Sequence, residues 1–166
     1  MIPKLLRTML AVSALALLAA ATPVAAQSAT ATFQVSANVL KTCTIAANAI
    51  AFGNYDPVGA NGTAPADQTG TVTIRCTRGT SWSVELGAGD NFSGSRRMRL
   101  GATGDYLAYE LYSDPSRSVV WDGASPQTGV AASRSPLALT VYGRVPAGQD
   151  AVEGAYLDAV AATVNF

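Results

Sequence analysis

From Ala29 to Val39 the sequence alternates without a break. Ala29, Ala31, Phe33, Val35, Ala37 and Val39 share one parity, and Thr30, Thr32, Gln34, Ser36 and Asn38 share the other. Side chains point to opposite faces along a strand, so the pattern predicts a β-strand with one apolar and one polar face. The run precedes the first cysteine, Cys43, and no hairpin turn follows to pair it with the next run. An amphipathic strand with no local partner is suited to completing a sheet, its own or a neighbour's.

The rest of the chain keeps the same period in shorter pieces. Val72, Ile74 and Cys76 share a face, as do Trp82, Val84 and Leu86, and then Leu107, Tyr109 and Leu111. Val119 to Trp121 is a brief apolar run, and Leu137, Leu139, Val141 and Val145 share a parity interrupted by Gly143. The last run puts Val160, Ala162, Val164 and Phe166 on one face. Turn formers separate these pieces, among them Asp56-Pro57, Asn61-Gly62, Asp114-Pro115, Asp122-Gly123 and Pro146-Ala147-Gly148. No window beyond the N-terminal region holds helical periodicity for three turns. Many short strands at this spacing predict an antiparallel β-sandwich or barrel. Because the final run ends on a core-parity aromatic, the expected sandwich is one strand short at its C-terminus and one strand long at its N-terminus.

Residues 1–26 read as a secretory signal. Lys4 and Arg7 form the basic n-region, Met9 to Ala21 the apolar h-region, and Val24-Ala25-Ala26 a small-residue cleavage site before Gln27. The apolar run is shorter than the ~20 residues of a membrane-spanning helix. The remaining 140 residues (166 minus 26) are one domain's worth. Without Lys4 and Arg7, nine basic residues face eleven acidic ones, which gives no general attraction to nucleic acid. Two cysteines in an exported chain predict a Cys43–Cys76 disulfide, joining the strand after the N-terminal run to the strand ending at Thr77.

Catalytic chemistry finds little purchase. The chain has no histidine, so His-based triads, His metal sites and imidazole acid–base catalysis are excluded. Two cysteines without histidine do not make a structural zinc site. No Gly-rich phosphate loop with lysine occurs, and no cofactor is expected. Asp105, Glu110 and Asp114 are expected as solvated loop and edge residues rather than a paired-carboxylate site. Arg96-Arg97-Met98-Arg99 is the one basic cluster, read as a soluble loop or guarded edge strand. Trp82, Trp121, Tyr109 and Tyr112 are expected in or beside the core rather than on a sugar-binding platform. Asn61-Gly62-Thr63 and Asn91-Phe92-Ser93 fit the N-glycosylation pattern, and the former is also a plain turn.

Several segments, in order, carry a resemblance. Ile50-Ala51-Phe52-Gly53-Asn54-Tyr55-Asp56-Pro57 follows the first cysteine, and Thr69-Gly70-Thr71-Val72-Thr73-Ile74-Arg75-Cys76-Thr77 surrounds the second. Leu107 to Asp114 leads to Trp121-Asp122-Gly123, then come Val141 to Gln149 and Gly154-Ala155-Tyr156-Leu157-Asp158. This array resembles the spore coat protein U domain family, which includes major subunits of archaic chaperone–usher pili. The resemblance implies an all-β, incomplete immunoglobulin-like antiparallel sandwich lacking its C-terminal strand, with an N-terminal donor strand. On that reading residues 27–40 are the donor extension and 41–166 the sandwich domain. A periplasmic chaperone first fills the gap, and an outer-membrane usher then guides exchange for the donor strand of another copy. The implied donor face is Phe33, Val35, Ala37 and Val39, with Ala37 a small residue where a larger one would plug more tightly. The implied product is a homopolymeric surface fibre, exported through the periplasm, for adhesion and biofilm formation. The alternatives are a carbohydrate-binding adhesin, a spore or cell coat protein, and a small outer-membrane β-barrel. The barrel needs strands of ~9–11 residues with aromatic girdles, longer than most runs here.

Overall fold

The computed structural model describes residues 24–166. Most of the predicted signal segment lies outside the described residues. The chain from Asn38 to Phe166 forms one compact unit, and the residues before it belong to a separate one. No helix among the described residues is long and apolar enough to cross a membrane.

The domain is an antiparallel β-sandwich. Strands β1 (Cys43–Asn48), β2 (Ala66–Cys76), β8 (Leu137–Val145) and β6 (Glu110–Tyr112) form the first sheet, in the order β1-β2-β8-β6. The second sheet has the order β10-β3-β7, from β10 (Ala162–Asn165), β3 (Ser81–Leu86) and β7 (Gln127–Val130). A small third sheet joins β5 (Tyr106–Ala108), β4 (Arg97–Leu100) and β9 (Tyr156–Leu157). The only helix among the described residues is one turn, α1 (Ala60–Thr63).

The alternation read from the sequence sets the core. Val72, Ile74 and Cys76 of β2 face Trp82, Val84 and Leu86 of β3, with Leu107, Tyr109, Leu111, Val141 and Val145 completing the buried cluster. Each large aliphatic buried in this way contributes roughly 1.5–3 kcal/mol. The run through Leu107 and Leu111 keeps one parity but is split into β5 and β6, so its two halves pair in different sheets. Trp82, Tyr109 and Trp121 are buried and Tyr112 is half-buried, in agreement with the core reading.

The two cysteines are joined. Cys43 opens β1 directly opposite Cys76, the last residue of β2, with Cα atoms 4.1 Å apart. The bond closes a loop with a sequence separation of 33, worth roughly 3–4 kcal/mol on the chain-entropy model.

The basic cluster is dispersed rather than pooled. Arg96 is only 2% exposed. It donates to the carbonyls of Leu86, Gly87 and Trp121 and pairs with Glu110. The Arg97 guanidinium lies 3.7 Å above the Tyr106 ring, and Arg99 donates to the carbonyls of Thr103 and Ala102 in the adjacent turn. Glu110 is thus an ion-pair partner, not a plain edge carboxylate. Asp114 folds its own loop, accepting from Ser116, Ser118 and the Val119 N–H, and these bonds hold its carboxyl well below the usual range. Asn61 is buried, its side chain bonded to the Asp56 N–H and the Ala64 carbonyl, so it is no glycan acceptor.

Candidate functional site

One lateral side of the sandwich is unfinished. β1 is the last strand of its sheet and β10 the last of the other, and no ladder joins them. Each therefore presents a bare row of N–H and C=O groups, the usual template for an added strand. A cavity of about 400 Å³ opens where β1 ends and β10 begins. Ala47, Asn48 and Ile50 line it from the β1 side, and Val160 and Ala162 from the β10 side. Its floor is core: Val72, Leu86, Leu111 and Val141. The sequence explains this directly, because inward-facing residues of β2, β3 and β8 continue under a stretch that no strand covers.

One end of the groove is closed by the chain itself. After β1, Ile50 and Phe52 turn into the sandwich over two glycines. A Cβ on Gly70 would stand 2.4 Å from Ile50 Cγ1, and one on Gly143 would stand 2.8 Å from Phe52 Cζ. The Phe52 ring packs against Tyr109, with centroids 6.2 Å apart. The Tyr109 hydroxyl donates to Asp158 Oδ2 at 2.6 Å, while Asn91 donates its N–H and its amide to Oδ1. Burial and then the bonded Asp158 carboxylate push the Tyr109 phenol well above its usual range. The groove thus has an apolar body and one fully committed polar end.

Phe33, Val35, Ala37 and Val39 are all exposed, the three larger ones at 86%, 85% and 79%. Residues 24–42 belong to no strand. The expected strand from Ala29 to Val39 is therefore not formed within this chain. An extended segment becomes a strand only with a ladder partner, and the segment has none among the described residues. The junction is fixed: the Thr77 hydroxyl donates to the Leu40 carbonyl at 3.0 Å, and the Thr77 N–H to the Thr42 carbonyl at 2.9 Å.

Sequence reasoning did not pick out Ala47, Ile50, Val160 or Ala162 as lining one groove. The signals were present in the Ile50-Ala51-Phe52 segment and the terminal alternating run, but their convergence is a long-range fact. Nothing local marked Asp158.

The model of the Spore Coat Protein U domain matches residues 29–163. The chain belongs to the Spore Coat Protein U domain family. The match to this family spans both the exposed N-terminal run and the sandwich. Protein U of Myxococcus xanthus is 39% identical over 173 residues, covering 94% of this chain and 95% of that protein. Two solved structures share the fold. One is the CsuC–CsuE chaperone–tip adhesion subunit pre-assembly complex from archaic chaperone–usher Csu pili of Acinetobacter baumannii. It matches with a TM-score of 0.56 and 20% identity over 77% of this chain, which spans only 40% of that chain. The other is the P pilus rod subunit PapA, with a TM-score of 0.55 and 16% identity over 74% of this chain and 97% of that one. Like these, the present member of the family is an antiparallel, pilin-like sandwich.

Proposed function

We propose that this protein is a non-enzymatic structural subunit of chaperone–usher type that polymerises by donor-strand exchange. Residues 1–26 direct export and are removed, a periplasmic chaperone occupies the groove first, and an outer-membrane usher hands the subunit on. The N-terminal run of another copy then lies between β1 and β10, with Phe33, Val35, Ala37 and Val39 turned into the groove. The product is a surface fibre for adhesion and biofilm formation.

The observation that carries this reading is a complementarity within one chain. Two bare strand edges flank an apolar groove, and a separate run of alternating residues exposes its whole apolar face. Burying Phe33, Val35 and Val39 contributes roughly 1.5–3 kcal/mol each. Each main-chain bond to the flanking strands adds ~0.5–1.5 kcal/mol net. The sum rivals the stability of a small domain, about 5–15 kcal/mol, which suits a non-covalent fibre.

Phe33→Asp tests it. A carboxylate carried into a dry groove is buried unpaired, so polymerisation is abolished while the chaperone-bound subunit still folds and co-purifies. Thr32→Asp, on the polar face, has a far milder effect. Fibres of normal length from Phe33→Asp in electron micrographs would refute exchange through this segment.

A further inference from the structure

Cations that the sequence scatters meet at one end of the sandwich. Lys41, Arg75, Arg78 and Arg134 are all exposed, and no two of them are adjacent in the chain. Backbone bonds bring their segments together where β1 begins and β2 ends. The Thr77 N–H donates to the Thr42 carbonyl at 2.9 Å and its hydroxyl to the Leu40 carbonyl at 3.0 Å, which sets Lys41 beside the turn of Arg78. The Gly79 N–H donates to the Ala131 carbonyl at 2.8 Å, and the Ala131 N–H to the Thr80 carbonyl at 2.9 Å, which ties the loop of Arg134 to that turn. Arg75 closes the group, its Nε donating to the Arg134 carbonyl at 2.8 Å.

No carboxylate side chain answers them. Arg96 pairs with Glu110, and Arg117 and Arg144 with Asp67, whereas these four have no ion pair among the described residues. Neither Asp nor Glu occurs in 38–47, 71–84 or 128–141, the stretches that carry the four cations. From Val24 to Leu40 the chain has no charged residue either, so the N-terminal run brings no counter-charge. Of the nine basic residues beyond position 26, the other five share the rest of the domain with all eleven acidic ones. A net acidic body thus carries one basic end. Like charges gathered without a partner repel one another, and their summed field draws in an anion.

We infer that this end binds an acidic polysaccharide, through carboxylates on successive sugar units. Three of the four cations are arginines, whose planar fork takes a carboxylate through two parallel bonds. Four cations spread over three segments exceed what one small anion can engage, so the partner repeats its charge. Two observations favour a polysaccharide over a nucleic acid. Residues 40–44, 75–80 and 131–136 contain no aromatic side chain on which a base could stack. The acidic remainder of the domain repels a stiff duplex lying along it, whereas a flexible glycan meets the end with a few units. None of the four cations lines the groove, so the contact does not depend on strand exchange.

A salt series on the exported protein tests this, with oligoguluronate as the probe. Binding read by fluorescence anisotropy should weaken as salt rises, with a log–log slope of about 3 for four counterion-releasing contacts. Arg78→Gln and Arg134→Gln should each weaken binding several-fold and lower that slope by about 1. Arg97→Gln, on the small third sheet, should leave affinity and slope unchanged, and thermal melts check that all three variants are folded. Lys41 is the one lysine beyond position 26. Its acetylation by an amine-reactive reagent, mapped by mass spectrometry, should slow several-fold when the probe is bound. Absence of binding at low salt, an equal loss from Arg97→Gln, or an unprotected Lys41 would overturn the site. Tighter binding to DNA or to phosphatidylglycerol vesicles than to the oligosaccharide would overturn the class of partner.

Discussion

At the β6–β7 side of the sandwich the chain supplies its own closure, whereas at the β1–β10 side it leaves two edges bare. On the closed side, the segment through Trp121 drops between the sheets. Trp121 is fully buried, its indole N–H donates to the Val84 carbonyl at 2.8 Å, and its backbone N–H to the Leu111 carbonyl at 2.9 Å. The Arg96 guanidinium gathers the Leu86, Gly87 and Trp121 carbonyls and pairs with Glu110. Every polar group that this closure buries has a partner, as the low dielectric of the interior requires. On the open side no such segment exists within the domain, and the same core side chains line a cavity instead. A sandwich side is thus closed by a specific inserted segment, and parity alone does not provide one.

The largest expected effect lies on the closed side. Trp121→Ala removes the largest filler of this side together with its indole bond to the Val84 carbonyl, so it should cost ~3–5 kcal/mol in denaturant unfolding. A loss below 1 kcal/mol would mean that this side is not sealed by Trp121. Next comes the disulfide, which holds β1 on its sheet beside the groove. Replacing both cysteines by serine should cost ~2–5 kcal/mol and lower secreted yield, read by thermal melts and by western blot.

The open side responds to addition rather than removal. A synthetic peptide of residues 29–39 should raise the melting temperature of a domain freed of chaperone, by about 2.7 kcal/mol of stability at one hundred times its dissociation constant. The same peptide carrying Phe33→Asp should give no shift. Titration of Tyr109, at the polar end of the groove, gives a smaller signal. Its phenol is raised in the folded state, so its contribution is complete below the unfolded pKa of about 10 and declines as pH rises above it. Tyr109→Phe should flatten that alkaline decline in pH-dependent unfolding. The smallest effect is on the sheet face away from both sides. Asp67, bonded through both carboxylate oxygens to Arg144 and close to Arg117, is lowered chiefly by the Arg144 bond. Its contribution is present above pH ~4 and fades as pH falls. Solvent screening limits Asp67→Asn to under about 1 kcal/mol.

The sequence by itself determined the all-β class, the parity of nearly every core residue and the pairing of Cys43 with Cys76. Those features are local or have one solution: alternation follows from backbone geometry at each strand, and two cysteines allow one bond. Only the tertiary structure decided which edges stay bare, that Ile50 and Phe52 close one end of the groove over Gly70 and Gly143, and that Arg96 is an internal tie rather than part of a basic surface. It also decided that the most regular run of the chain, Ala29 to Val39, has no strand partner in its own domain. The reason is physical. Strand pairing and the burial of charge depend on residues tens of positions apart, and a period of two specifies which way a side chain points without specifying what will cover it.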